Sequence, residues 1–433
     1  MGIIGSAVIL FTIFGILLFV GVPISVGILI SSITTALTVL PWEQVTFITM
    51  QKMTSGIESF SLLAVPLFIL AGNIMNNGGI ARRLINFAQI LAGKLPGSLA
   101  HTNILGNMLF GALSGSAVAS AAAIGGTLAP IQEEEGYDPA FSACVNIASA
   151  PSGLLIPPTS AFIVYSTVAG GVSISTLFMA GYIPGILMGL VTMFIAFLYA
   201  KKHGYPTSGK TTIRDAARIT MDAVPSLILI IIVIGGIVGG VFTATEGAGV
   251  AVLYCTILSL LYKNLTWKSF KSILLKSAAT SGIILFLIAA SSAMSWVMAY
   301  TGIPQAISAG ILAISSNKII ILLLMNLILL LIGTFMDITP AILIFTPIFL
   351  PIAQQFGMNE VQFGVVLIFN LCMGLMTPPV GSVLFVACGL SKISIERVAK
   401  MLIPYLLALI FVLLLITFIP EISLFLPSLL GLM

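Results

Sequence analysis

Long apolar runs, interrupted by short polar or basic clusters, dominate the chain. The stretches 3–40, 61–77, 103–131, 176–200, 224–262, 279–300, 319–352, 361–390 and 402–433 are nearly free of charge. A helix that crosses a bilayer needs about 20 such residues, so several runs cross once and the longest can cross and return. The pattern predicts an all-α polytopic membrane protein. In the first run, Gly21-Val22-Pro23 either splits a pair of spans or kinks one. Three amphipathic stretches, 80–93, 211–222 and 265–276, carry basic residues and are predicted to lie along the inner membrane surface.

Composition supports a membrane protein. Of 433 residues, 59% are hydrophobic and 7% charged, against about 25% charged in soluble domains. The start lacks a basic n-region, and its apolar run outlasts the h-region of a signal peptide. Cys144, Cys255, Cys372 and Cys388 are scattered through apolar segments without CxxC spacing and are expected to be packing residues.

The basic residues orient the chain. On the expected path, residues 61–77 cross inward and a dip over 98–138 returns to the same side. Residues 140–170 go out, 176–200 return, 224–242 go out, 245–262 return and 279–300 go out. A second dip over 319–358 returns to the outside, 361–390 cross inward, and 402–433 end outside. Only Lys52 and Lys318 of the 17 basic residues then face outward, as the enrichment of Lys and Arg in cytoplasmic loops requires. The bias survives only if both dips are re-entrant.

A long internal repeat supports this path. Pro130, Gly136 and Pro157-Pro158 recur as Pro351, Gly357 and Pro378-Pro379, with intervals of 6 and 21 residues in both halves. Gly153 and Gly374 precede the double prolines by 4 residues in each. Gly111 and Gly333, and then Pro184 and Pro404, follow one residue out of register. The two units enter from opposite sides, and an inverted repeat with interrupted helices points to a secondary transporter with a midplane site.

The interruptions hold the candidate chemistry. The first dip contains Ser114-Gly115-Ser116-Ala-Val-Ala-Ser120, small residues that let two half-helices approach and turn tightly. A plain small-residue helix contact would read the same way. The second contains Gly333-Thr334-Phe-Met-Asp337-Ile-Thr339-Pro340. An acid deep in an apolar run marks an ion or substrate path by default, although Asp337 is also a good N-cap for the returning half-helix. Each double proline frees carbonyls upstream and starts a new helix downstream, or merely kinks one. Freed carbonyls and hydroxyls suit Na⁺, and fresh helix N-termini suit an anion. Ser116, Ser120, Ser152, Thr159, Thr339 and Ser382 are the candidate substrate contacts. No Lys or Arg falls inside the deep apolar segments, so an anion would be held by helix ends, hydroxyls and bound cations.

Other features are blander. Glu246 reads equally as a helix cap or a functional acid, and Glu133-Glu134-Glu135 reads as a solvated loop. His101 and His203 form no metal set, and Trp42, Trp267 and Trp296 read as interface or packing residues.

The segments Phe60 to Gly72, Gly111 to Ser120, Gly153 to Pro158, Phe242 to Glu246, Gly333 to Asp337 and Met376 to Gly381 resemble the large membrane subunit of tripartite ATP-independent periplasmic transporters nearly end to end. The resemblance implies an elevator-type Na⁺ symporter of small organic acids in the bacterial inner membrane. It implies two partners, a small membrane subunit carried on a separate chain and a periplasmic substrate-binding protein. Ser114, Ser149 and Gly153 would line one Na⁺ site, and Gly333, Asp337, Gly374 and Thr377 would line or support another, with two or more Na⁺ cotransported. Gly78 to Leu84 together with Ser114 to Ser120 look most like the sialic acid and sugar acid branch, with the C4-dicarboxylate branch close behind.

The domains expected are N-terminal scaffold helices over 1–60, a first repeat over 61–200, linking scaffold and surface helices over 201–282, and a second repeat over 283–433. The broken helices are expected at 140–170 and 361–390. A standalone ion or organic anion antiporter of similar design is the alternative. An intramembrane protease lacks its paired aspartates, Ser/His pair or HExxH site, and an ATP-driven pump lacks its phosphate loop. The chain is therefore not expected to be an enzyme.

Overall fold

A computed structural model describes residues 2–208, 212–378 and 380–433. Pro379 of the second double proline and Lys210 of the basic set lie outside them. Among the described residues every regular element is helical, because inside a bilayer a helix satisfies its backbone within one segment.

The N-terminal run splits at Gly21-Val22-Pro23 into α1 (Ile3–Phe19) and α2 (Ile24–Ala36), which pack on each other. Gly21 takes a positive φ of 85° that glycine tolerates, and Pro23 closes the turn. α3 (Trp42–Ile57) follows, then α4 (Ala64–Asn77) and the amphipathic α5 (Ile80–Ala92). The first repeat continues with α6 (Ser98–Ser114), α7 (Ala117–Ser120) and α8 (Gly126–Glu134), a π-turn at Ala121–Gly125 joining the last two. α9 (Pro139–Ser149) and α10 (Ser160–Val168) flank the break at Pro157-Pro158, and α11 (Ile174–His203) completes the unit.

α12 (Ile213–Val238) and α13 (Ala244–Leu261) link the halves. The second repeat then runs α14 (Trp267–Thr301), α15 (Ile303–Ile314), α16 (Lys318–Phe335), α17 (Ile338–Gln355), α18 (Glu360–Gly374), α19 (Ser382–Ser391) and α20 (Ile395–Phe418). α21 (Glu421–Leu429) follows a break at Ile419-Pro420 and packs on α11. Eight helices among the described residues are long and apolar enough to cross a membrane.

Both dips turn back. At the base of the first, the Leu99 N–H donates to the Tyr137 hydroxyl at 3.4 Å, and Gln132 Nε2 donates to the Leu99 carbonyl at 3.1 Å. Burial pushes the Tyr137 phenol above its ordinary range, so it stays neutral there. At the base of the second, Met358 shares a small pocket with Leu322 and Met325. Each hairpin thus starts and ends on one side of the fold.

The halves are interlocked. Each outgoing hairpin arm packs on the broken helix of its own repeat, α6 on α9 and α16 on α18. Each returning arm packs on the second half of the other repeat's broken helix, α17 on α10 and the α7–α8 arm on α19. The broken helices meet at the centre, where Cys372 Sγ lies 3.5 Å from the Pro151 carbonyl. The Tyr165 hydroxyl donates to the Glu360 carbonyl at 2.6 Å, and Arg397 pairs with Asp138 at 3.1 Å. The four cysteines are buried and free.

Two of the expected surface helices are absent as separate elements. Residues 213–222 and 267–276 are the first turns of α12 and α14. After Thr266 caps α14, neither proline nor an αL residue interrupts it before Gly302. At 35 residues it spans about 52 Å, well beyond the roughly 30 Å hydrocarbon core. The basic first turns are thus the leading ends of long helices and not separate surface helices. α15, in the place that α5 holds in the first repeat, was not expected.

Candidate functional site

Both hairpin tips open onto one cavity. The first tip is Gly115, whose φ of 60° reverses the chain between α6 and α7. Ser116 then caps α7, its hydroxyl accepting from the Ala119 N–H at 3.3 Å. The second tip is Met336-Asp337, between α16 and α17. A cavity of about 460 Å³ is lined by Ser114, Gly115 and Ser116 from one tip and by Asp337, Ile338 and Thr339 from the other. α4 contributes Phe68, Ile69, Gly72, Asn73 and Asn76 to the opposite wall, and α14 contributes Lys276, Thr280 and Ile284. The spacing on both helices is i, i+4, i+8, one helical face each. Asn73 Nδ2 donates to Ser277 Oγ at 2.9 Å and ties these helices together.

Asp337 occupies the N-cap position of α17, yet its side chain makes no capping hydrogen bond. It lines the cavity and is exposed there. The Ser114 hydroxyl is buried without a partner in the same wall. An unpaired buried hydroxyl costs about 1–3 kcal/mol; a cation or water would satisfy it. Glu246 behaves in the opposite way. The Thr243 N–H donates to its carboxylate at 2.8 Å, and its own N–H donates to the Thr243 hydroxyl at 3.2 Å. This closed capping box makes Thr243 the N-cap of α13 and ties up Glu246 as its partner three residues on. Thr243→Ala is expected to cost about 1 kcal/mol of stability, read by thermal unfolding, with transport per folded molecule unchanged.

Below the tips, each hairpin crosses the broken helix of its own repeat at a pair of glycines. A Cβ on Gly111 would lie 2.4 Å from Gly153 Cα, and a Cβ on Gly153 would lie 2.3 Å from Gly111 Cα. In the second repeat a Cβ on Gly374 would lie 2.3 Å from the Gly333 carbonyl carbon. At Gly111, Gly153 and Gly374 backbone therefore meets backbone and no side chain fits, while a Cβ on Gly333 would be tight at 3.2 Å from Gly374 Cα. Gly72 of α4 approaches the first tip almost as closely, its Cβ position lying 3.1 Å from Ser114 Cα.

Asparagines brace both crossings. Asn107 Nδ2 lies 2.9 Å from Asn103 Oδ1, 3.0 Å from Asn146 Oδ1 and 2.8 Å from Ser149 Oγ. Asn107 Oδ1 accepts from the Ser120 hydroxyl at 2.7 Å. In the second repeat Asn370 Nδ2 donates to Asn326 Oδ1 at 2.7 Å, and Asn326 Nδ2 donates to the Thr417 hydroxyl at 3.0 Å.

The candidate residues thus fall into groups. Ser114, Ser116, Asp337 and Thr339 share the cavity wall. Gly153, Gly333 and Gly374 form the crossings. Ser149 is fully buried and already hydrogen-bonded to Asn107 and to the Val145 carbonyl at 2.7 Å. The Thr377 hydroxyl donates to the Met373 carbonyl at 2.7 Å. Ser120, Ser152 and Thr159 do not line the cavity. Ser120 faces Asn107, Ser152 donates to the Ser149 carbonyl at 2.6 Å, and Thr159 caps α10. Ser382 begins α19 with a buried, unpartnered hydroxyl away from the cavity. Sequence reasoning missed Asn73, Asn76, Asn107, Asn326, Ser160, Lys276 and Thr280. The signal for the asparagines was present, since an amide in an apolar helix is costly to bury unpaired.

Comparison with known proteins identifies this arrangement. Residues 11–422 match the family described as "Tripartite ATP-independent periplasmic transporter, DctM component". The chain belongs to the DctM family. It is a multi-pass protein of the bacterial inner membrane and a transport permease, not an enzyme. The chain is 54% identical to the uncharacterized protein YgiK of Salmonella typhimurium over 98% of its own length and 97% of that protein. It is 38% identical to the isethionate TRAP transporter permease protein DctMQ of Oleidesulfovibrio alaskensis, over 96% of this chain and 66% of that longer protein. It is 36% identical to the sialic acid TRAP transporter large permease protein SiaM of Vibrio cholerae, over 95% and 96%. In fold it is similar to the YdaH transporter of Alcanivorax borkumensis, with a TM-score of 0.63, 14% identity and coverage of 87% and 89% of the two chains.

Proposed function

We propose that this DctM-family subunit imports a small organic acid together with Na⁺, and that the cavity between the hairpin tips is the carrying site. The observation that carries this reading is the shared wall, where two oppositely entering tips meet an unpartnered hydroxyl, Ser114, and an uncapped carboxylate, Asp337. Oxygen donors at a helix break suit a hard monovalent cation, and the starts of α7 and α17 face the same space and suit an acid. Each cotransported Na⁺ adds roughly 2.3 kcal/mol of drive per 100 mV. Family membership supports delivery by a periplasmic binding protein and a partnership with a small membrane subunit, which in the DctMQ relative is indicated by the joined name. The named relatives handle isethionate and sialic acid, a sulfonate and a carboxylate. A small organic acid is thus the substrate class, and a sugar acid such as sialic acid is one member.

The movement proposed is an elevator. The two hairpins and broken helices form one interlocked body, and α2, α3 and α4 gather around α14, with α13 packed on α4, as the other. The cavity lies between them, so a slide of the first body along α4 and α14 would carry the site across. Gly72, packed close to Ser114 Cα, gives that slide a smooth contact.

The test is uptake into proteoliposomes holding the complete transporter under an inward Na⁺ gradient. Asp337→Ala is expected to lower Na⁺-driven uptake at least about tenfold and to raise the half-saturating Na⁺ concentration, since an acid's charge is lost from the site. Thr377→Ala is expected to lower it less, because Thr377 already donates to the Met373 carbonyl. Unchanged Na⁺ dependence in both variants would remove these residues from the coupling site. Uptake that persists without any binding protein would favour the standalone antiporter.

A further inference from the structure

The cavity has a charge that the sequence pattern hid. Among its described lining residues, Lys276 is the one cation and Asp337 the one anion. Lys276 lies nine residues beyond the start of α14, about 14 Å along its axis, past the surface-facing Lys268 and Lys271. It makes no salt bridge among the described residues, where Arg397–Asp138 is the one ion pair. Thr280 and Ile284 continue its face inward, so the α14 wall runs from charged through polar to apolar. The α4 wall has the same gradient, from Asn76 and Asn73 to Ile69 and Phe68. Both polar ends point to the side that carries the basic loops. The Asn73–Ser277 hydrogen bond at 2.9 Å fixes the two walls together immediately beside Lys276.

We propose that Lys276, with Asn73 and Asn76, binds the acid group of the substrate in the cytoplasmic half of the cavity. The inference rests on the reading that this cavity carries an organic acid. The ammonium has no protein counter-ion to displace, and the two amides supply neutral donors on the facing wall. A lysine suits a grip that must release: its charge is compact, hydrated and mobile, without the fixed two-pronged geometry of arginine. Because α14 belongs to the body opposite the hairpins, this contact exists only while the site faces the cytoplasm. It therefore sets affinity on the cytoplasmic side and leaves the outer side untouched.

The test reconstitutes the complete transporter in one orientation and measures exchange of radiolabelled N-acetylneuraminate, isethionate and succinate, each added at the cytoplasmic face. Lys276→Gln is expected to raise the half-saturating concentration of the transported acid at that face by roughly tenfold, the scale of one lost charged hydrogen bond. The half-saturating Na⁺ and binding-protein concentrations should not change. Lys276→Arg should keep or tighten the parental affinity, since it keeps the charge and adds a two-pronged donor. Lys268→Gln, in the first turn of α14, is the control for general surface charge. As a second route, Lys276→Cys treated with aminoethyl methanethiosulfonate regains an ammonium and should regain affinity, while the uncharged methyl reagent should not restore it. Equal effects of Lys276→Gln and Lys268→Gln, no effect of Lys276→Gln, or no recovery with the ammonium reagent would each overturn the proposal. If the parent exchanges none of the three acids, the reading of the cavity as an organic acid site fails first.

Discussion

Gly374→Ala is expected to abolish uptake and to destabilise the folded protein by about 3 kcal/mol, at the upper end of overpacking costs. The reason is local and steric. The new methyl would lie 2.3 Å from the Gly333 carbonyl carbon and 2.5 Å from its Cα and its oxygen. These are backbone atoms at the end of α16, so no side chain can turn aside. Relief requires α16 and α18 to separate, and their crossing positions the second hairpin tip with Asp337. Gly111→Ala should behave alike, at 2.4 Å from Gly153 Cα. Gly249→Ala is the internal control, a helical glycine of α13 with nothing within 4 Å of the new methyl. There alanine should stabilise by about 1 kcal/mol through helix propensity alone. Thermal unfolding in detergent and uptake in proteoliposomes read both effects. A Gly374→Ala protein with parental melting and uptake would show that the close crossing is not maintained in the working transporter.

Asn107→Leu is the second large effect. It should lower stability by about 3 kcal/mol and reduce uptake beyond the loss of folded protein. Asn107 touches Asn103, Asn146, Ser149 and Ser120, all buried. Leucine is close in size, so the loss is one of hydrogen bonding more than of packing. Stranded buried polar groups cost about 1–3 kcal/mol each. Asn146 keeps its donor bond to the Ala121 carbonyl at 3.0 Å, and Ser149 keeps the Val145 carbonyl, which bounds the loss. Asn326→Leu in the second repeat should cost less. Asn370 keeps the Val366 carbonyl at 3.1 Å, and the Thr417 hydroxyl keeps the Leu413 carbonyl at 2.8 Å. Comparing the two melting temperatures tests the order. A larger loss for Asn326→Leu would mean that the second brace, not the first, holds its hairpin in place.

Much of the architecture was legible because membrane insertion writes strong signals. Apolar runs and spaced prolines reveal spans and breaks, and the positive-inside bias sets the expected orientation. Re-entrance of both hairpins followed from charge alone, and the contacts of Leu99 with Tyr137 and Gln132 agree with it. The glycine spacing was visible too, but its purpose was not. Gly111 and Gly153 are 42 positions apart in the chain, so nothing local reveals that their backbones touch. The extent of α14 was misread for a related reason. A basic amphipathic stretch reads as a surface helix, while continuity into the apolar run depends on the absence of a breaker and on neighbours that accept a long helix.

The sequence by itself determined that the chain crosses a membrane many times, that its halves are inverted copies, and where the two broken helices are interrupted, because hydropathy, charge and proline act locally along the chain. The tertiary structure alone decided which breaks share a cavity, and which hydroxyls are free and which are spent on asparagine. It also decided that Lys276 faces inward. Those outcomes depend on which helix faces are brought together, and that is set by the packing of residues far apart in the sequence.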